Sequence, residues 1–136
     1  MSNNDTTKKT PVMKDKKVIL STLWIFALLN YIYADIFTSF FDPKAQSGTL
    51  AMTRGAVLGF AILMETAIAM VLLSRVLKYR VNRAVNIIAG IIHTALVSWT
   101  LFSETPLPFY TFFAAIEIVC TLFIIWYALR WKNQEA

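Results

Sequence analysis

A single carboxylate, Glu65, stands at the middle of the apolar stretch Leu58–Leu73. An ionisable group at the centre of a bilayer-length run is costly, and by default it indicates a functional site. Three more polar side chains occupy similar depths in other apolar stretches: Asn30, His93 and Glu117. Groups of these types can exchange protons or hold a cationic or polar ligand. The pattern therefore predicts a proton or ligand site inside a membrane protein.

Four apolar blocks position these residues. Hydrophobic residues make up 57% of the 136 residues and charged residues 15%. A run of about 18 apolar residues with few charges is typical of a membrane-spanning helix. We predict an all-α, integral membrane four-helix antiparallel bundle, with helices over about Val18–Phe41, Gly55–Leu77, Ala84–Ser103 and Phe109–Trp131. This single four-span domain (18–131) lies between a disordered basic tail (1–17) and a short polar tail (132–136).

The lysines and arginines predict the orientation. Eleven of them lie in the N-terminal tail, the loop between helices 2 and 3, and the C-terminal end, and two flank the loop between helices 1 and 2. The positive-inside rule then places both termini in the cytoplasm, as expected for a multi-pass protein of the cell inner membrane. The tryptophans lie toward helix ends, as interfacial aromatic residues do: Trp24, Trp99, Trp126 and Trp131.

Helical spacing predicts which faces point inward. Small residues above and below a polar group are typical of a helix-packed face in lipid. On helix 2 this face would hold Ala61, Glu65 and Ala69. On helix 3 it would hold Asn86, Gly90, His93 and Val97, and on helix 4 Tyr110, Ala114, Glu117, Thr121 and Ala128.

Asp35 lies about 7 Å beyond Asn30 along helix 1 and points elsewhere, since five residues turn the helix by roughly 140°. It is expected to line an outer vestibule with Tyr31. We take Tyr31, Asn86, Tyr110 and Thr121 as supporting residues around the site. For Asn30, Asn86 and Thr121 the simpler interpretation is packing through hydrogen bonds between helices.

His93 is the only cation available in the middle of the spans, where neither lysine nor arginine occurs. Two carboxylates in a low dielectric cannot both stay ionised beside one imidazole, which predicts a proton-sharing cluster of Glu65, His93 and Glu117. A metal site is the alternative, but Glu65 and Glu117 are followed three residues later by Ile68 and Cys120 and not by the histidines of di-iron bundles. No cofactor and no metal are predicted.

Several other classes are disfavoured. The basic residues flank the apolar blocks, so the bilayer and its anionic headgroups explain the net charge of +5 without nucleic acid. Cys120 is the only cysteine, so no disulfide forms within the chain. Gly55 and Gly59 have a spacing that lets two helices approach closely, either within the bundle or in a homodimer.

The chain resembles a family of small bacterial four-helix membrane proteins with no assigned function. The likeness is carried by Leu23-Trp24-Ile25-Phe26, by Leu29–Ile36, and by short stretches around Glu65, Arg75, Asn86 and Glu117. The resemblance implies a bacterial cytoplasmic-membrane protein of uncharacterised activity. In plan the chain is more distantly similar to DoxX-like proteins, which is an analogy of fold alone.

Three functions fit these observations. The first, which we favour, is a proton-linked binding or transport protein with a buried Glu/His/Glu layer and an unknown small ligand. The second is a membrane enzyme that uses the same residues for acid–base chemistry on a lipid-soluble substrate. The third is a structural or accessory subunit with a polar core.

Overall fold

The chain forms a bundle of four long helices. The computed structural model describes residues 10–48, 53–103 and 106–132, with side chains described from residue 15 onward. Within these ranges the long helices are α1 (Thr10–Phe41), α3 (Arg54–Val76), α4 (Tyr79–Ser103) and α5 (Pro108–Arg130), and α2 (Pro43–Gln46) is a single turn. All four long helices are apolar and long enough to cross a membrane. The predicted all-α membrane fold is confirmed.

Local sequence explains where the helices begin. The Thr53 hydroxyl accepts a hydrogen bond from the backbone N–H of Ala56 and so caps α3. Asp42 caps α2 in the same manner, through the N–H of Lys44. Pro108 occupies the first turn of α5, where its missing N–H has no helical partner to lose.

Two helices are longer than predicted. α1 begins at Thr10 and not at Val18, so the part of the predicted tail from Thr10 onward is helical. α4 begins at Tyr79 and not at Ala84. Its first turn is tied back to α3, because the Asn82 side chain donates hydrogen bonds to the carbonyls of Ser74 and Leu77. Residues 1–9 and 133–136 of the predicted tails lie outside the described residues.

The helices surround a narrow core. α1 packs along α3 and α5, and α4 packs along α5, whereas α3 and α4 touch less although they are consecutive. α1 and α4 therefore occupy opposite corners. α4 approaches α5 closely at Gly90, where an added Cβ would lie 2.6 Å from Cγ1 of Ile125. Every residue fully buried in α3 belongs to its second half: Ala67, Met70 and Ser74.

The outer surface is apolar, as expected for contact with lipid. Thirty large hydrophobic side chains of the described residues are exposed, for example Phe102, Val119 and Leu72. Two tryptophans depart from the interfacial role predicted for them, since Trp24 and Trp131 are buried. Trp99 and Trp126 are exposed. Inside the bundle, Trp24 donates a hydrogen bond to Asn86 and the Trp131 ring packs edge to face against Tyr79.

Candidate functional site

His93 and Tyr31 form the centre of the polar interior. The Tyr31 hydroxyl lies 2.7 Å from Nδ1 of His93 in a hydrogen bond between α1 and α4. His93 is fully buried and Tyr31 is 8% exposed. The other ring nitrogen of His93, Nε2, is buried without a hydrogen-bond partner among the described residues. The imidazole therefore has one nitrogen engaged and one open.

A tryptophan holds the imidazole from the side nearer the α3–α4 connection. The rings of Trp24 and His93 meet edge to face, with centroids 5.1 Å apart. The indole N–H of Trp24 donates to Oδ1 of Asn86 at 2.8 Å. This oxygen also accepts from the Ser74 hydroxyl at 3.3 Å, and the Asn86 amide donates to the carbonyl and side-chain oxygens of Asn82. We call Trp24, Ser74, Asn82 and Asn86 the asparagine cluster.

Glu117 is the buried carboxyl group of the site. It lies on α5 and is 4% exposed, and its Oε1 has no hydrogen-bond partner among the described residues. It interacts electrostatically with Tyr31 and with Asp35. His93 lies two residues beyond the middle of α4, and Glu117 two residues before the middle of α5. Both are therefore displaced by about 3 Å toward the same end of the bundle.

Polar groups continue toward the α4–α5 connection. Asp35 is exposed on α1, four residues beyond Tyr31. The Tyr110 hydroxyl donates to Thr100 at 3.0 Å. Thr121 is buried and shares a 2.7 Å hydrogen bond with Thr94, so it joins α4 to α5. Tyr110 and Thr121 thus support the packing of α4 on α5, which agrees with the packing role predicted for Thr121.

Glu65 does not belong to this site. It is exposed, on the side of α3 opposite Ala67, Met70 and Ser74. The expectation that Ala61, Glu65 and Ala69 form an inward face is wrong for Ala61 and Glu65. Both faces of a lipid-exposed helix are apolar, so a row of small residues does not by itself identify the packed one.

Asn30 is buried, 8% exposed, as expected for the polar layer. Its amide donates to the carbonyl of Phe26 in its own helix at 2.9 Å and not to another helix. α1 also contributes Tyr31 and Trp24 to the interior. The sequence predicts a supporting place for Tyr31 and an interfacial one for Trp24. Their partners, His93 and Asn86, each lie 62 residues away in the sequence, so local spacing carries no signal for either contact.

The polar residues divide into two groups by how fully their hydrogen bonds are made. In Asn86 both the side-chain oxygen and the amide nitrogen have partners, as is usual for a buried polar group with a packing role. His93 and Glu117 each keep a buried atom without a partner, and Trp131 Nε1, at the far end of α5, is a third such atom. We refer to Tyr31, His93 and Glu117 as the His–Tyr–Glu site. Among the described residues, no group of three potential ligand side chains is placed to hold a metal ion.

One protein family matches this chain. The model of the Family of unknown function (DUF6326) matches residues 10–136, which confirms the predicted resemblance to a family without assigned function. No curated protein and no solved structure matches the chain. The likeness in plan to DoxX-like proteins stays a prediction.

Proposed function

Because the chain belongs to this family of unknown function, its activity has to be argued from its own residues, and we propose that it is a proton-linked binding or transport protein. The His–Tyr–Glu site is where the proton and a small polar or cationic ligand would be held. The site differs from the predicted Glu/His/Glu layer in that Tyr31 takes the place of Glu65.

The observation that carries this proposal is a pair of buried atoms without hydrogen-bond partners among the described residues, Nε2 of His93 and Oε1 of Glu117. A buried polar atom without a partner is unfavourable, and in a native structure it is commonly explained by a ligand, an ion, water or a catalytic role. Histidine and glutamate are also side chains that take up and release protons. Two such atoms at one depth favour a site whose occupant supplies the missing hydrogen bonds.

The charges around the site favour a proton or a cation over an anion. Glu117 and Asp35 interact electrostatically, and no lysine or arginine lies within the middle of any span. The Tyr31 hydroxyl can donate to Nδ1 of a neutral His93 that carries its proton on Nε2, or accept from Nδ1–H, so the ring proton can lie on either nitrogen. A proton moved between the two nitrogens would pass from the Tyr31 side of the ring to the open side.

The enzyme alternative has less support. A groove of about 510 Å³ between α1 and α5 is lined by apolar residues and by Cys120, and it could hold an acyl chain or another lipid-soluble molecule. Glu117 is not among the residues that line it. A substrate in this groove would therefore meet none of Glu65, His93 and Glu117, the acid–base residues of the enzyme alternative. The accessory-subunit alternative has support in the asparagine cluster, whose role is packing.

We further propose that the protein lies in a bacterial inner membrane with both termini in the cytoplasm. The support is the distribution of charge, since the α3–α4 connection carries Arg75, Lys78, Arg80 and Arg83 and the C-terminal end of α5 carries Arg130 and Lys132.

Difference infrared spectroscopy of the purified protein between pH 5 and pH 9 tests the proton site. We expect a titrating carboxyl band that Glu117→Gln removes, because glutamine keeps the shape and hydrogen bonding of a protonated glutamic acid but does not titrate. Glu65→Gln is the matched control, since it changes a second glutamate at mid-span outside the site. A carboxyl band that only Glu65→Gln removes belongs to Glu65. Proton exchange at Glu117 is disproved if Glu117→Gln removes no titrating carboxyl band of the wild-type spectrum.

Ligand linkage is tested by the same variants after reconstitution in liposomes containing a pH-sensitive dye. We expect a gradient of a candidate cation across the liposome membrane to drive proton movement by the wild-type protein and by Glu65→Gln. The same gradient should drive no proton movement by Glu117→Gln or His93→Gln. Equal proton movement in all four proteins would leave the His–Tyr–Glu site without a transport role.

A further inference from the structure

Glu65 occupies an unusual place for an ionisable residue. It is exposed at the exact middle of α3, eleven residues from each end of the span Arg54–Val76. At 1.5 Å per residue, water is about 16 Å away on either side, which is beyond the reach of a glutamate side chain. None of the described residues hydrogen-bonds to its carboxyl group or pairs with it. A carboxyl group left against lipid at this depth is costly.

The face around Glu65 has a regular spacing. Alternating steps of three and four residues connect seven positions along α3, and six are exposed while Ala69 is half-buried: Gly55, Leu58, Ile62, Glu65, Ala69, Leu72 and Val76. This is the heptad spacing of the contact seam between two parallel helices. Leu58, Ile62, Leu72 and Val76 are each 59–63% exposed, more than any other large apolar side chain of α3.

The glycines of α3 have no role within the bundle. A Cβ added at Gly55 or Gly59 would meet no atom within 4 Å, in contrast to Gly90, which makes room for Ile125. α3 is also the least covered of the four spans, with 11% of its apolar window buried against 28–33% for the others. The part of the α3 surface where the glycines would allow another helix to approach closely therefore points away from the bundle.

We propose that this α3 face is a homodimer interface in which the Glu65 carboxyl groups of two copies hydrogen-bond to each other. Two copies in one membrane share their orientation, so a two-fold axis along the membrane normal brings their α3 helices together in parallel. Each residue near the axis then meets its own counterpart. One protonated carboxyl group can donate to the other, which gives both a partner away from lipid.

The remaining seam residues fit a second copy of this chain. The apolar residues on both sides of Glu65 pack against their counterparts, and Gly55 allows close approach at the end of the seam. A single polar residue in an apolar seam fixes its register, because any shift leaves that residue facing a hydrophobic one. The homodimer expected from Gly55 and Gly59 thus acquires a defined axis and a central contact, on a face separate from the His–Tyr–Glu site.

Cysteine cross-linking in native membranes tests the interface. In a Cys120→Ser background, single cysteines at Leu58 and Leu72 should form disulfide-linked dimers in several-fold higher yield than cysteines at Val57 and Ile68. All four side chains are exposed, but the second pair lies off the seam. Equal yields at the four positions, or adducts with a different protein in place of a dimer, would overturn the proposal.

The Glu65 contact is tested by measuring the dimer fraction in detergent or bilayers against protein concentration. Glu65→Gln should keep the dimer, since two amides can also donate to and accept from each other. Glu65→Leu should raise the dissociation constant by about threefold or more, the effect of one interhelical hydrogen bond in lipid. Glu65 is exposed in the single bundle, so neither variant should disturb the fold. An unchanged dissociation constant in Glu65→Leu refutes the pairing, whatever the infrared result at Glu117.

Discussion

The hydroxyl of Tyr31 and Nδ1 of His93 lie 2.7 Å apart and join two helices, α1 and α4, that occupy opposite corners of the bundle. The bond therefore crosses the interior. It also fixes the orientation of the imidazole ring, because the second nitrogen is then constrained to point away from α1. The position of the unpartnered nitrogen therefore depends on this bond together with the edge-to-face contact of His93 with Trp24.

Tyr31→Phe removes the hydroxyl and keeps the ring. We expect the free energy of unfolding to fall by about 1 kcal/mol, within the range measured for interhelical hydrogen bonds in membranes. Reversible unfolding in mixed micelles measures this change. Tyr33→Phe is the matched control, since Tyr33 is 53% exposed on the same helix, and it should leave stability unchanged. Equal effects of the two variants would show that the Tyr31–His93 bond adds nothing to the fold.

Asn86→Ala should be more damaging, because Asn86 accepts from Trp24 and Ser74 and donates to Asn82. Several bonds at about 0.6 kcal/mol each predict a loss of roughly 2–3 kcal/mol in unfolding free energy. Asn30→Ala serves as the control, since Asn30 bonds only to the backbone of its own helix, and its cost should stay below about 1 kcal/mol. A larger loss in Asn30→Ala than in Asn86→Ala would contradict the packing role of the asparagine cluster.

Gly90→Ala tests the close approach of α4 and α5. The new methyl group would lie 2.6 Å from Cγ1 of Ile125 and 3.4 Å from the carbonyl oxygen of Thr121, so either the Ile125 side chain or the helices must shift. Overpacking of this kind costs about 1–3 kcal/mol. Gly59→Ala meets open space within α3 and should leave stability unchanged or raise it by up to about 1 kcal/mol, because alanine is the better helix former. The same unfolding measurement compares the two, and a neutral Gly90→Ala would mean that the contact is looser than described.

Thiol labelling of intact cells tests the orientation of the bundle. In the Cys120→Ser background, a cysteine at Ser47 should react with a membrane-impermeant reagent, and a cysteine at Lys78 should react only after the cells are opened. Both positions are exposed and lie beyond opposite ends of α3. The expectation rests on the excess of lysine and arginine at the Lys78 end. Labelling of position 78 in intact cells would reverse the proposed topology.

The sequence predicts the four spans and the packed faces of two of them. On α4 the spacing Asn86, Gly90, His93 and Val97 gives a face that is buried throughout. On α5 the same holds for Ala114, Glu117, Thr121 and Ala128. Each of these faces combines polar side chains with small residues over several turns, and the opposite face is bulky, so the two sides differ clearly.

The sequence misleads where that contrast is missing. On α3, small residues occur on both sides, with Ala61 and Ala69 near Glu65 and Ala67 and Ser74 on the packed side. Lipid and the protein interior are about equally apolar, so hydrophobicity does not show which face of a helix packs on the bundle and which faces lipid. Contacts between distant residues, such as Trp24 with Asn86, depend on how whole helices are arranged, and periodicity within one helix contains no information about them.

The burial of α3 has a mechanical consequence. Its fully buried residues, Ala67, Met70 and Ser74, all lie in the half nearer Val76, so this half is the anchored part of the helix. The part from Ala67 to Arg54 is about 20 Å long, and a tilt of about 10° moves its far end by about 3 Å. A thinner bilayer favours a larger tilt of a span whose length exceeds the hydrocarbon thickness. In a single bundle, a change in membrane thickness is therefore expected to displace the Arg54 end of α3 more than the region around Ser74.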